Sequence, residues 1–136
     1  MTWDLTEYER MDDMGYRSDV HALFYTTEKE DLPVLKLYMD ENYPKDFLPE
    51  PKYVEGEYLW GYEMVCGGVK WYSGYEDVQE FDAFKTKYQA LIDEQEGSRR
   101  WKFEFVRVGE DTDDIEREQH DSEYVLSVRR IIEADY

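Results

Sequence analysis

Residues 101–133 constrain the fold more than any other stretch. Trp101-Lys102-Phe103-Glu104-Phe105-Val106-Arg107-Val108 alternates apolar and polar side chains, the period of a strand with one buried face. Tyr124-Val125-Leu126-Ser127-Val128-Arg129-Arg130-Ile131-Ile132 is a second run rich in β-branched residues. The connection Gly109–Glu123 holds eight acids against one arginine. Two paired strands carrying an anionic loop are the expected structure. Strands need a covering layer, so the rest of the chain is read for helices that supply one.

Val78, Phe81, Phe84, Tyr88, Leu91 and Ile92 recur at three and four residues. They predict an amphipathic helix, opened by the capping-box spacing Ser73-Gly74-Tyr75-Glu76 and closed by Gly97. An earlier helix is expected over Leu32, Leu35, Leu37, Tyr38 and Met39. Thr27-Glu28-Lys29-Glu30 and Pro33 mark its start, and Asn42-Tyr43-Pro44 its stop. Val20–Tyr25 reads as a buried strand. Glu57–Cys66 reads as another, turning at Gly67-Gly68 into a return strand over Val69–Tyr72. The order β-α-β-β-α-β(-β) points to an α+β, ferredoxin-like antiparallel sheet with two helices on one face. A chain of 136 residues suits one domain over 1–136. Within it, 1–16 is read as a short helix or an acidic arm, and 44–56 as a surface connection.

Aromatic residues make up 17% of the chain, more than a core of this size needs, so part of them is expected at half-wet or interface positions. Net charge is −18, which repels nucleic acid and anionic membranes and attracts basic surfaces. Cys66 is the single cysteine, so no internal disulfide forms. The N-terminus lacks a basic and apolar leader, and no apolar run approaches the roughly 20 residues of a membrane span. These features give a cytoplasmic expectation, with no membrane association.

Catalytic and metal patterns fail one by one. An EF-hand loop begun at Asp111 would meet Ile115 and Glu116 where an oxygen ligand and a glycine are required. His120-Asp121 would need further ligands, and His21 is the one other histidine. Cys66 has neither a base nor a positive field beside it, so a buried structural thiol is expected. Trp101–Val106 has the aromatics of an RNA-stacking strand, but its glycines are missing and Glu104 stands in the middle. No enzymatic activity, no cofactor and no metal are expected.

Acids remain as the carriers of function. Residues two apart on an extended chain are spaced about 6.6 Å, close to phosphates along a nucleic-acid strand. Glu110, Asp111, Asp113, Asp114, Glu116 and Glu118 could form such a row, with Tyr53, Tyr75 and Tyr124 as anchors. Asp12, Asp13 and Asp19, or Asp77, Glu80 and Glu94, offer shorter rows. A second expectation is a small-ligand or nucleotide-signal pocket built from Trp60, Tyr62, Trp71, Trp101, Arg107 and Arg129. Arg99, Arg100 and Arg130 are further cations for it, and cross-strand pairing with Glu104 and Glu133 is the plainer role for such arginines.

Phe105–Glu116, followed by Leu126-Ser127-Val128, resembles a strand-turn-strand segment of small acidic phage-borne α+β proteins of mostly unassigned role. The likeness lies within residues 101–134 and transfers no functional residue. It implies a phage or mobile-element origin and action in the host cytoplasm. With the charge, it leads to an expected non-enzymatic inhibitor of a host nucleic-acid-handling protein, such as a restriction or CRISPR nuclease. Such an inhibitor would touch no nucleic acid directly and would bind the host protein's basic surface by imitating DNA. A homodimer is compatible with this reading.

Overall fold

The computed structural model describes residues 16–45, 49–94, 101–111 and 113–120. Strand β1 (Ser18–Thr26) comes first, then a 3-10 turn (Lys29–Asp31) and helix α1 (Leu32–Asn42). A hairpin of β2 (Lys52–Gly56) and β3 (Leu59–Val69) follows. Helix α2 (Glu76–Glu94), β4 (Trp101–Gly109) and β5 (Ile115–His120) complete the order. The five strands form one antiparallel sheet in the order β2-β3-β1-β4-β5. Each helix therefore connects two strands that have one other strand between them.

β1 is the centre of the sheet because it is apolar on both faces. Val20, Ala22 and Phe24 point one way; Leu23 and Tyr25 point the other. Both helices lie on the first face. Leu35 and Met39 of α1, and Phe81, Phe84, Tyr88 and Ile92 of α2, pack there against Met64, Cys66, Trp101, Phe103 and Phe105. The ring of Phe24 is the hub, with centroids 5.1 Å from Tyr88 and 5.2 Å from both Phe84 and Phe103. The expected stripe of α2 is thus the face it buries. On the opposite face Leu23, Tyr25, Val106 and Val108 form a second buried cluster, with Val54 and Leu59 beside it.

Gly61 explains how β3 lies so close to β1. It pairs with Tyr25, and a Cβ there would stand 2.6 Å from the Tyr25 Cα. No other residue type fits without moving the strands apart.

Several sequence expectations are corrected here. Gly67-Gly68 is not a hairpin turn, and Val69–Tyr72 is not a return strand: β3 runs through both glycines to Val69. The pairing steps from Val20↔Cys66 to Ser18↔Val69, so β3 holds one extra residue, and Gly68 takes a φ of 61° to accommodate it. The glycines make a bulge. The hairpin turn lies earlier, at Glu57-Tyr58, because Lys52–Gly56 of the expected 44–56 connection is the edge strand β2. Neither Asp31 nor Glu28 caps its helix through a side chain, and the Thr27–Glu30 capping box does not form. Thr26 Oγ1 accepts the Glu28 N–H at 3.1 Å instead. Part of the expected acidic loop, Ile115–His120, is strand β5, paired with β4 from Val108↔Ile115 to Phe103↔His120. The run Tyr124–Ile132, residues 1–15 of the possible arm 1–16, and the Gly97 cap lie outside the described residues.

Candidate functional site

The turn between β4 and β5 is the densest polar constellation in the described residues, and its geometry is built from three separate parts of the chain. Gly109 N donates to Asp114 O at 2.8 Å, and Asp114 N to Asp111 O at 3.0 Å, which closes the turn tightly. Asp114 then accepts from two directions. Tyr16 Oη donates to its Oδ2 at 2.6 Å, and Arg107 Nη2 donates to its Oδ1 at 2.8 Å. Arg107 also donates to Ser18 Oγ at 3.0 Å and to Glu116 Oε1 at 3.3 Å. The Tyr16 oxygen accepts the Asp111 N–H at 3.0 Å, and Arg17 N donates to Glu110 Oε2 at 2.9 Å. The hydrogen bonds of Arg107 and then Tyr16 to the charged carboxyl hold the Asp114 pKa down at about 2.

The clamp continues into the bulge of β3. Asp19 Oδ1 accepts the Gly68 N–H at 2.8 Å, and Arg17 Nη1 donates to Gly68 O at 2.8 Å. One end of the sheet is therefore stitched together by Tyr16, Arg17, Asp19 and Arg107. The turn is a rigid knob with Glu110, Asp111 and Asp113 exposed at its tip.

The six acids expected to form a row are thus not equivalent. Glu116 and Glu118 share one face of β5, as the alternation requires, but each meets a cation. Arg107 takes Glu116, and Lys85 of α2 takes Glu118 at 2.8 Å. Asp114 is committed to Arg107 and Tyr16. The anchors are dispersed. Tyr53 is 46% exposed on edge strand β2, its ring 5.8 Å from Tyr62. Tyr75 precedes α2 and packs on Tyr72 at 5.1 Å. Tyr124 lies outside the described residues. Of the shorter rows, Asp19 is bound to Gly68, and Asp77 Oδ1 accepts the Val78 N–H at 2.9 Å at the start of α2.

Nor do the residues expected to form an aromatic pocket converge. Trp60, Tyr62, Trp101 and Arg107 share the helix-covered face of the sheet, as their registers dictate. Helix side chains fill the space between them. Trp101 is buried against Tyr38 and Tyr88, at 5.5 and 5.6 Å. Trp71 packs on Phe81 at 5.4 Å, and Arg107 belongs to the clamp. Arg129 lies outside the described residues.

Tyr62 is the member of that set that lines the cleft beside α1. A cleft of about 570 Å³ opens between the end of α1 and β3, walled by Lys36, Met39, Asp40, Tyr43, Pro44, Lys45, Glu50, Pro51 and Tyr62. Lys36 and Asp40 pair with each other at 2.7 Å. Tyr43 is buried, its ring against Phe24 and Phe84, and its hydroxyl has no hydrogen-bond partner among the described residues. Burial pushes that phenol far above its usual range.

Cys66 is buried as expected; burial, then the nearby Asp77 charge, push its thiol up to about 11, so it is not a thiolate at neutral pH. His21 is buried on the second face with its Nε2 2.8 Å from Glu63 Oε2. His120 Nε2 lies 2.6 Å from Asp93 Oδ1 and ties β5 to α2. Among the described residues no group of three or more His, Cys, Asp or Glu is placed to hold a metal ion. Within the same residues no helix is long and apolar enough to cross a membrane.

Sequence reasoning missed Tyr16, Arg17 and Tyr43. Tyr16 and Arg17 sit next to Gly15, where the chain was read as leaving an arm; a Tyr-Arg pair directly before a strand is too common a pattern to signal a clamp. Tyr43 looked like a helix stop because Pro44 follows it. No protein-family model matches the chain, and neither a curated protein nor a solved structure is significantly similar to it.

Proposed function

We propose that this protein is a non-enzymatic acidic inhibitor, borne by a phage or mobile element. It docks on the basic surface of a host nucleic-acid-handling protein in the host cytoplasm. The observation that carries this reading is the rigid turn with Glu110, Asp111 and Asp113 at its tip, on a chain of net charge −18. Charge of one sign steers a basic partner toward the protein from a distance. A turn already fixed by Tyr16, Arg17 and Arg107 loses little entropy when it docks. DNA mimicry narrows accordingly. Three carboxylates on a knob stand in for a short run of phosphates, because Asp114, Glu116 and Glu118 are committed to internal cations.

The sheet also favours a ferredoxin-like reading extended by one strand. Each helix spans a split β-α-β unit, and β5 adds to the β4 edge. Such a scaffold places the β4–β5 turn at one end of a sheet whose centre is fully packed.

The test is affinity capture from host lysate with the wild type and with the double variant Asp111→Lys, Asp113→Lys; Glu110 is left intact because its carboxylate accepts the Arg17 N–H. Asp114 is left intact because it holds the turn. The wild type should retain a nucleic-acid-binding protein at low salt, and should lose it to added duplex DNA or to about 0.5 M salt. The variant should retain none while melting at a similar temperature. Equal retention by the variant would refute the charge-mimic reading.

A further inference from the structure

We propose that the outer edge of β2 is a self-association surface, on which a second copy of this chain pairs antiparallel and joins the two sheets across a two-fold axis. The edge lies across the sheet from the β4–β5 turn, and the proposal does not rest on the inhibitor reading.

β2 is one end of the described sheet, and its residues are exposed on both faces except Val54, which is half-buried. Tyr53 is 46% exposed, and Tyr58, in the hairpin turn, 73%. The two-residue turn decides which backbone groups point outward. Gly56 pairs with Leu59 across it, so Gly56, Val54 and Lys52 exchange their hydrogen bonds with β3. Tyr53 and Glu55 alternate with them and aim their N–H and C=O groups away from the sheet. Such a row is a template for another strand. No bulge interrupts the pairing of β2 with β3, and Pro51 stands before the strand rather than in it.

One register suits a second copy. The outward residues must meet each other, which leaves three offsets. Tyr53 against the copy's Tyr53 sets Glu55 against Pro51, which has no N–H to give. Glu55 against Glu55 opposes like charges. Tyr53 against Glu55, with Val54 on the two-fold axis, does neither. Both Tyr53–Glu55 pairs then exchange two hydrogen bonds each, four in all. Charge agrees with this register. Lys52, the cation of the strand, faces the copy's Gly56, between its Glu55 and Glu57, and symmetry repeats the match. Glu50 lies before Pro51, outside the ladder. Tyr53 Oη donates to Glu55 Oε2 of its own chain at 3.1 Å, so two Tyr–Glu couples lie side by side on one face, and Val54 meets Val54 on the other. A ladder this short covers less than a standard interface, and the net charge of −18 opposes association. The dimer therefore forms at high concentration and tightens with salt.

Sedimentation equilibrium of the full chain, loaded from about 5 to 500 µM in about 0.01 and 0.5 M sodium chloride, tests the edge. The mass should rise toward the dimer with concentration, and further at the higher salt. Glu55→Gln keeps the outward N–H and removes a charge from each copy, so it should dimerise at least as tightly. Glu55→Pro removes that N–H from each copy and no hydrogen bond to β3, and it should weaken the dimer at least about tenfold. Hydrogen exchange on the wild type is independent of any folding defect in a variant. The Tyr53 and Glu55 amides should slow as concentration rises, while the Val54 amide, already paired with β3, should change little. A monomer at every concentration and salt would overturn the proposal. So would a dimer in which the Tyr53 and Glu55 amides exchange at the monomer's rate.

Discussion

Asp114 shows how a single residue changes role once its neighbours are known. In the sequence it is one acid among many. In the folded chain it receives Arg107 and Tyr16 at 2.8 and 2.6 Å, and its pKa drops from 3.8 to about 2. The sign of the consequence follows. The unfolded chain takes up this proton at a higher pH than the folded chain does. The carboxylate's contribution is therefore complete above about pH 5 and is lost as pH falls from about 4 toward 2. Urea midpoints of the wild type and Asp114→Asn should stand apart at neutral pH and converge at the acid end of that window. Parallel curves would mean that the charge of Asp114 does not hold the turn. Tyr43 illustrates the converse. Its aromatic ring could be foreseen as core, but no pattern in a sequence announces a hydroxyl left without a partner.

At the scale of elements, legibility followed the apolar pattern. The stripe of α2 and the alternation of β4 were readable because burial alone determines those elements. Strand β5 was not. Ile-Glu-Arg-Glu-Gln-His has little β propensity, and its inward charges look like loop residues until their partners are located. What holds β5 is its pairing with β4, together with Lys85 and Arg107, whose positions on α2 and β4 only the fold reveals. The Gly67-Gly68 bulge failed for a related reason: two glycines permit a turn and a bulge equally, and the register against β1 decides between them. The Lys85–Glu118 pair offers a test of this account. Lys85 has 16% of its side chain exposed and also lies 5.6 Å from the Phe105 ring. A double-mutant cycle with Lys85→Met and Glu118→Gln should give a coupling of about 1 kcal/mol, toward the upper end for ion pairs near a surface. A coupling indistinguishable from zero would leave β5 to its backbone pairing and to the Arg107–Glu116 and His120–Asp93 contacts.

For the whole molecule, the question is whether the ion pairs or the excess charge governs electrostatic stability. The two respond oppositely to salt. Screening weakens pairs such as Arg107–Asp114 and Lys36–Asp40, and it also weakens repulsion among the excess acids. Reach decides which wins. The pairs act over 2.7–2.8 Å, well inside the Debye length of about 10 Å at 0.1 M, so moderate salt changes them little. Repulsion at a net charge of −18 is summed over the whole surface, at separations beyond that length. It is strong at about 0.01 M, where the Debye length is about 30 Å, and largely removed by about 0.5 M. The urea midpoint at pH 7 should therefore rise as sodium chloride increases from about 0.01 to 0.5 M, with most of the gain at the low end. Sodium chloride and potassium chloride should act alike, since screening depends on ionic strength. A midpoint that falls over the same range would show that local pairs outweigh the long-range field. The excess charge would then have to be distributed so that the folded chain keeps its acids nearly as far apart as the unfolded chain does.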